Sequence, residues 1–346
     1  MKLFIWPCAI FMLVFFLSQE GVCQSPYYQG KTITFVQGRD PGGVGDLRNK
    51  VIFQFLQKYI PGYPTIVSEY MPGGGGRKAA NHVFHNVKGD GLTIGASSPG
   101  ILASAMLGMT GVNFDPAKFI YLGSPFSENN NIFVTRKALG ITNLEKLRER
   151  VGLRVGGQSV GHVQFIRGRL FAWLLGLKEP RFVVGYAGAE LDLALERGEI
   201  DSRASAVDKT TMSEEYKKLA DFHTILEIPK GSRPAVFADL PEVGTFTRTQ
   251  LERDVLAMSR TFWGTGTLIF LPPNTPESLA RTVRQAMRRS FEDQQFHEAY
   301  KKLLGVEATP LMPEDQQKLV ADLPRDPEVV KAFAAIADMG PLPARK

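Results

Sequence analysis

Two glycine-punctuated corners carry the residue types best suited to chemistry. The first, Pro41-Gly42-Gly43-Val44-Gly45-Asp46, follows the apolar run Ile33, Phe35, Val36 and precedes an amphipathic stretch. Glycines let the backbone take positive φ and approach a ligand closely, and Asp46 is placed to cap the helix behind it. A strand, a tight turn and a helix start together present several backbone N–H groups at the positive end of a helix dipole, which suits anion capture. The second corner, Gly157-Gln158-Ser159-Val160-Gly161-His162, also stands between a strand-like run and a helical one. It matches the G-x-S-x-G nucleophile elbow, and it equally offers N–H groups and the Ser159 hydroxyl to an anion. A serine hydrolase would add an acid and then a histidine farther along the chain. His223 and His297 are the candidates, and neither lies in a recognisable triad context.

Other groupings are less complete. His82 and His85 share one face of an expected helix without a third ligand, so they read as solvated or capping side chains and no metal is expected. Pro72–Gly76 followed by Arg77-Lys78 lacks the hydroxyl residue and the spacing of a phosphate-binding loop. Arg281, Arg284, Arg288 and Arg289 form a basic helical stripe without interleaved aromatics, which reads as a solvated face. Neither a cofactor nor a nucleic-acid partner is expected.

The elements that must position the corners alternate. Apolar runs at Ile33–Val36, Thr65–Val67, Leu92–Ser97 and Phe119–Gly123 read as strands. Between them, Val51, Ile52, Phe55, Leu56 and Tyr59 share one helical face ended by Pro61, and Ala79, Ala80, Val83 and Val87 share another. After the polar segment Glu128–Asn131, further strands are expected at Ile132–Thr135, Leu153–Val155, Arg181–Val184, Ile200–Ala204 and His223–Ile228. Helices are expected from about His162 and over Leu191–Arg197. Thr261–Phe270 is apolar and β-branched and reads as a strand leading back to the first half, with a long helix from Pro276 beyond Pro272-Pro273. This rhythm builds mostly parallel sheets covered by helices.

Length and composition agree with such a frame. The 346 residues suffice for two domains, and 44% hydrophobic with 22% charged residues excludes a disordered or fibrous chain. The net charge of +6 suits nucleic acid, an anionic membrane surface or anionic solutes without choosing among them. At the N-terminus Lys2 precedes the apolar run Leu3–Leu17 and a polar segment ending at Gly21-Val22-Cys23-Gln24, the form of a secretory signal. Cleavage after Cys23 would remove both cysteines, Cys8 and Cys23, so no disulfide is expected in the mature chain. A lipid anchor at Cys23 is the rival reading, which Glu20 and Val22 fit poorly.

With these segments in order, the chain resembles the extracytoplasmic solute-binding proteins of tripartite tricarboxylate transporters. The likeness rests on Ile33–Val36 with Pro41–Asp46, on Val67–Gly76, and on Asp90-Gly91-Leu92-Thr93-Ile94. It continues through Ser159-Val160-Gly161-His162, Gly185-Tyr186-Ala187-Gly188 and Asp192–Asp201. It implies a two-lobed α/β fold of the periplasmic-binding-protein type (type II). The lobes would comprise residues 24–126 plus 256–346 and residues 127–255, closing on a small ligand. It also implies a periplasmic monomer that captures an organic acid (a di-, tri- or aromatic carboxylate) for integral membrane transporter subunits, without catalysis. Carried over, the carboxylate-holding positions are Pro41–Asp46 and Gln158–His162. Ser97, Ser98, Ala187, Gly188 and Ser205 match places that often reach the ligand.

Two departures from the family pattern bear on the ligand. Arg39 and Asp40 replace the usual aromatic and small residues before the first corner, and Arg39 either grips a second carboxylate or neutralises Asp40. Ser205 stands where an acidic residue is common, which disfavours amine-bearing ligands. Both lean toward an anion.

Overall fold

A computed structural model describes residues 25–323 and 326–345; the expected signal segment, with Cys8 and Cys23, lies outside them. Strand β1 (Thr32–Gln37) buries Ile33, Phe35 and Val36 and leads through the first glycine corner into α1 (Val44–Tyr59). The alternation continues with β2 (Thr65–Tyr70), α2 (Arg77–His85), β3 (Thr93–Ser97), α3 (Gly100–Met106) and β4 (Ile120–Tyr121). The chain then crosses to a second lobe. There β5 (Asn131–Arg136), α4 (Leu144–Glu149), β6 (Arg154–Gly156), α5 (Val163–Leu175) and β7 (Arg181–Val183) follow one another. Next come α6 (Glu190–Arg197), β8 (Ser202–Ala206), α7 (Glu214–Leu219) and β9 (Ala220–Leu226). Helix α8 (Gln250–Gly264) returns the chain to β10 (Leu268–Leu271). Then follow α9 (Glu277–Glu292), α10 (Gln294–Leu304), α11 (Pro313–Ala321) and α12 (Pro327–Ala337).

Two five-stranded sheets result, ordered β2-β1-β3-β10-β4 and β7-β6-β8-β5-β9. Strand β1 lies parallel between β2 and β3, and β6 lies parallel between β7 and β8. Strands β10 and β5, which follow the two crossings between lobes, run antiparallel to their neighbours. The corners after β1 and β6 therefore occupy matching places, at the carboxyl ends of parallel strands where helices begin, the usual address of a ligand in such sheets.

Helix α5 is mostly apolar and is buried from Phe165 to Leu175, Arg167 and Arg169 included, as a helix enclosed by others must be. It packs on α12, and α12 packs on α8. Arg169 of α5 donates to the carbonyls of Ile336, Ala335 and Gly340, and Trp173 Nε1 donates to Pro343 O at 3.0 Å. The expected boundary at residue 256 falls inside α8; α12 packs on α5 and α8 and also touches α3, while β10, α9, α10 and α11 pack with the first-lobe sheet and α1.

The stretch Thr261–Phe270 is also divided differently from its expected single strand. Thr249 caps α8 by accepting from Glu252 N, and the helix runs to Gly264, so only Leu268–Leu271 is strand. Val255, Phe262 and Trp263 are apolar because α8 is buried on that face, and composition alone does not separate a buried helix end from a strand. Among the described residues no helix is long and apolar enough to cross a membrane.

Candidate functional site

The first corner is built from beneath. Gly43 heads α1 with no side-chain cap, and Gly42 takes φ +82°. Asp46 is not the cap expected of it; it lies within the first turn, fully buried, and reaches back to accept from Gly42 N at 2.9 Å. Its carboxylate also accepts from Gln37 Nε2 at 2.8 Å and Tyr70 OH at 2.9 Å, and pairs with Lys50 at 2.8 Å. Burial alone would raise this carboxyl, but the donors outweigh it and hold it below the ordinary carboxylate range. The leading N–H groups of α1 have no acceptor within the helix. Gly45 is small because Arg39 lies against it: a Cβ there would sit 1.8 Å from Arg39 Nη1. Nε and Nη2 of Arg39 are buried without a hydrogen-bond partner.

The second corner is held by a histidine and by the opposite lobe. His162 caps α5, its Nδ1 accepting from Gln164 N at 3.3 Å, so that Nε2 carries the proton. Burial, with Arg39 and Arg167 near it, pushes the imidazole down to about 3, and it is neutral at ordinary pH. Gly161 takes φ +80° and its carbonyl lies against the first lobe, where a Cβ on Gly100 would come within 2.5 Å of it. Gly75 N donates to Ser159 Oγ at 3.1 Å, a hydrogen bond across the gap. The histidines that a hydrolase would enlist are engaged elsewhere, His223 with Thr135 Oγ1 at 2.7 Å and His297 with Phe291 O at 2.8 Å.

Between the corners lies a cavity of about 290 Å³. Of the positions expected from sequence, Arg39, Gly42, Gly43, Val44, Gly45, Asp46, Ser98, Gln158, His162, Gly188 and Ser205 line it. Gly43 and Gly188 face each other across it, a Cβ on Gly43 coming 3.9 Å from Gly188 Cα. Pro41, Ser97, Ser159, Val160, Gly161 and Ala187 do not line it. Pro41 is exposed, Ser97 is fully buried beneath Gly76, and Val160 packs against the core. Ser159 and Ala187 border an adjoining hollow, and Ala187 N is already used by Glu190 Oε2 at 2.8 Å.

Sequence reasoning missed three arginines on the cavity wall: Arg48 of α1, Arg167 of α5 and Arg203 of β8. Arg203 Nη1 pairs with Asp192 Oδ1 at 2.7 Å. Arg48 lies 3.9 Å over the Phe126 ring and Arg167 lies 4.7 Å over Trp263. Burial lowers Arg39 to about 10 and Arg167 to about 9, which leaves both cationic. The available signal was Arg167, which with Arg169 interrupts the mostly apolar run Val163–Leu175. The stripe on α9 is less solvated than expected, since Arg284 Nε donates to Tyr121 O and Arg289 stacks on Tyr59.

No family model matches the chain, and no curated protein sequence does. Solved structures match it closely in shape. The periplasmic binding protein BugD superposes with a TM-score of 0.68 at 16% identity, over 89% of this chain and 96% of that one. The fold is that of a periplasmic binding protein. MatC from Rhodopseudomonas palustris, solved with malate, gives a TM-score of 0.67 at 20% identity, covering 89% of this chain and 99% of its own. Rpa4515 from R. palustris, solved with adipate, gives 0.67 at 18% identity, covering 89% and 97%. In this binding-protein fold the two corners are the carboxyl-end loops that flank the gap between lobes.

Proposed function

We propose that the protein is an extracytoplasmic solute-binding protein of the tripartite tricarboxylate transporter type. In this reading it captures a small organic carboxylate between its lobes in the periplasm and delivers it, without chemistry, to integral membrane subunits. The observation that carries the proposal is Arg39, whose Nε and Nη2 are buried and unpartnered in the cavity where α1 begins. A buried cation beside free helix-start amides is satisfied by an anion that the protein does not itself supply. The sequence resemblance and the malate and adipate held by two proteins of the same fold support the same reading.

A charge-assisted hydrogen bond contributes roughly 1.5–3 kcal/mol, and micromolar affinity needs about −8 kcal/mol. Three or four such bonds reach that figure nominally, while immobilising the ligand costs several kcal/mol. Exclusion of water as the lobes close supplies the difference, and a ligand touching both lobes favours the closed state because only that state offers all its contacts.

Thermal denaturation of the mature protein with malate, adipate, citrate and benzoate, against neutral amides as controls, tests the proposal. At 100 times its dissociation constant a specific ligand adds about 2.7 kcal/mol, a rise of roughly 5 °C for a chain of this size. A rise with at least one acid and none with the amides is expected. No rise with any acid, or turnover of activated esters abolished by a serine-reactive phosphonate, would overturn it.

A further inference from the structure

Beyond Arg39, the cavity holds two guanidinium groups that form no direct ion pair with the described residues. Arg48 projects from α1 and is 7% exposed; Arg167 projects from α5 and is 4% exposed. Both line the cavity, and Nε of each is buried without a partner. Their aromatic contacts fix the guanidinium planes without supplying negative charge, and Asn131 Oδ1, which accepts from Arg167 Nη1 at 2.7 Å, is neutral. Among the described residues, neither arginine forms an ion pair. The wall carboxylates are otherwise engaged, Asp46 with Lys50 and Asp192 with Arg203. Asp208 accepts from Thr211 N at 3.0 Å; burial raises its carboxyl, while the neighbouring Arg48 charge acts in the opposite sense without a direct ion pair. Asp40 flanks Arg39 in the chain, and His162 is uncharged.

An arginine does not shed its proton to escape burial, so a closed cavity with these cations calls for negative charge from outside. Arg39 with the head of α1 accounts for one anionic group. Arg48 and Arg167 account for another, and they come from different lobes. We propose that Arg48 and Arg167 form a second anion subsite, one guanidinium from each lobe, and that the ligand is a small organic dianion whose far anionic group bridges them. The planar forks suit a group with two or three oxygens, a carboxylate, sulfonate or phosphonate. In the empty protein two like charges oppose closure, and the far group of the ligand removes that opposition. The proposal rests on the solute-binding reading above and adds to it the charge of the solute.

Calorimetry on the mature protein compares glutarate and adipate with valerate and hexanoate, their chain-matched monoanions, and adds 3-sulfopropionate and 3-phosphonopropionate to identify the far group. At least one dianion is expected to bind about 100-fold more tightly than its monoanion partner. Arg167→Gln should cut that ratio to about tenfold or less. Arg48→Gln should do the same. By small-angle scattering, the ligand-free Arg167→Gln protein should be more closed than the ligand-free wild type, which a merely structural arginine would not produce. Should one variant fail to fold, the wild-type ratio and the other variant still decide. Equal binding of mono- and dianions, or equal loss of both in the variants, overturns the subsite alone. Binding of no organic acid overturns the solute-binding reading and the subsite with it.

Discussion

The corner after β1 and the corner after β6 sit at matching positions in their sheets, yet one is supported from beneath and the other from across the gap. Under the first, the buried Asp46 carboxylate ties Gly42, Gln37, Tyr70 and Lys50 together, and Gln37 Oε1 in turn accepts from Asn49 Nδ2 at 2.8 Å. All of these groups belong to the first lobe, so this corner keeps its shape whether the lobes are together or apart. The second corner has its histidine cap, but Ser159 and Gly161 lean on Gly75 and Gly100 of the other lobe. Part of its support exists only when the lobes meet. Substitutions at the first corner should therefore act on the ligand directly, and substitutions around the second should act on closure.

The sharpest way to break that distinction is at Gly75, which borders the adjoining hollow and lies against the second corner. It takes φ +67°, and a Cβ there would lie 2.8 Å from both Gly161 C and His162 N. Backbone atoms cannot yield to it as a flexible side chain would. Gly75→Val should weaken binding of whichever acid the wild type takes by about 100-fold, roughly 2.7 kcal/mol, with circular dichroism unchanged. Retained affinity would mean that ligand capture does not require the second corner to reach the first lobe.

Acid should separate the two lobes next. His162 is pushed down to about 3 and His223 to about 4, in both cases chiefly by burial. Their unfolded value is about 6.5, so the unfolded chain binds more protons below that pH. The stability they contribute is fully present above pH 6.5 and is lost as pH falls toward the folded values, at about 1.4 kcal/mol per pH unit for each group. Asp46 behaves oppositely in range: its lowered carboxyl contributes stability that persists until pH drops below the ordinary carboxylate value near 3.9. Denaturant melts between pH 6 and 4.5 should therefore show a steep decline, and His162→Gln should remove about half of the slope. An unchanged slope in that variant would show that the imidazole at the second corner is not held neutral by burial.

The backbone of this arrangement was legible in the sequence and much of the cavity wall was not. Glycine turns between apolar runs and amphipathic runs identify β1–α1 and β6–α5, because turn chemistry and period are local properties. Arg48, Arg167 and Arg203 come from three elements that meet only in the folded molecule, and a single charge on a helix ordinarily means a solvated face. The role of Asp46 is hidden for a similar reason: its partners Gln37 and Tyr70 lie in two neighbouring strands, and no helix-cap rule includes them. The tetraglycine Gly73–Gly76 fails as a phosphate loop and enters the sequence reading only through the likeness carried by Val67–Gly76. Its use, close approach by the opposite lobe, depends on a contact 84 residues away.

That same contact yields the smallest and most discriminating change. Ser159 Oγ accepts a hydrogen bond from Gly75 N and borders the adjoining hollow, which shares Arg39, Gln158 and His162 with the cavity, but Ser159 does not line the cavity itself. Its removal by Ser159→Ala leaves the Gly75 N–H without a partner in the closed state, at a cost of about 1 kcal/mol, or roughly fivefold in affinity. The loss should be the same for every acid, since it falls on closure and not on recognition. By contrast, a serine acting as a nucleophile would leave affinity nearly intact and lose ester turnover altogether. A uniform, modest weakening across a carboxylate panel thus assigns Ser159 to the latch between lobes, and a weakening confined to one acid would place its hydroxyl on the ligand instead.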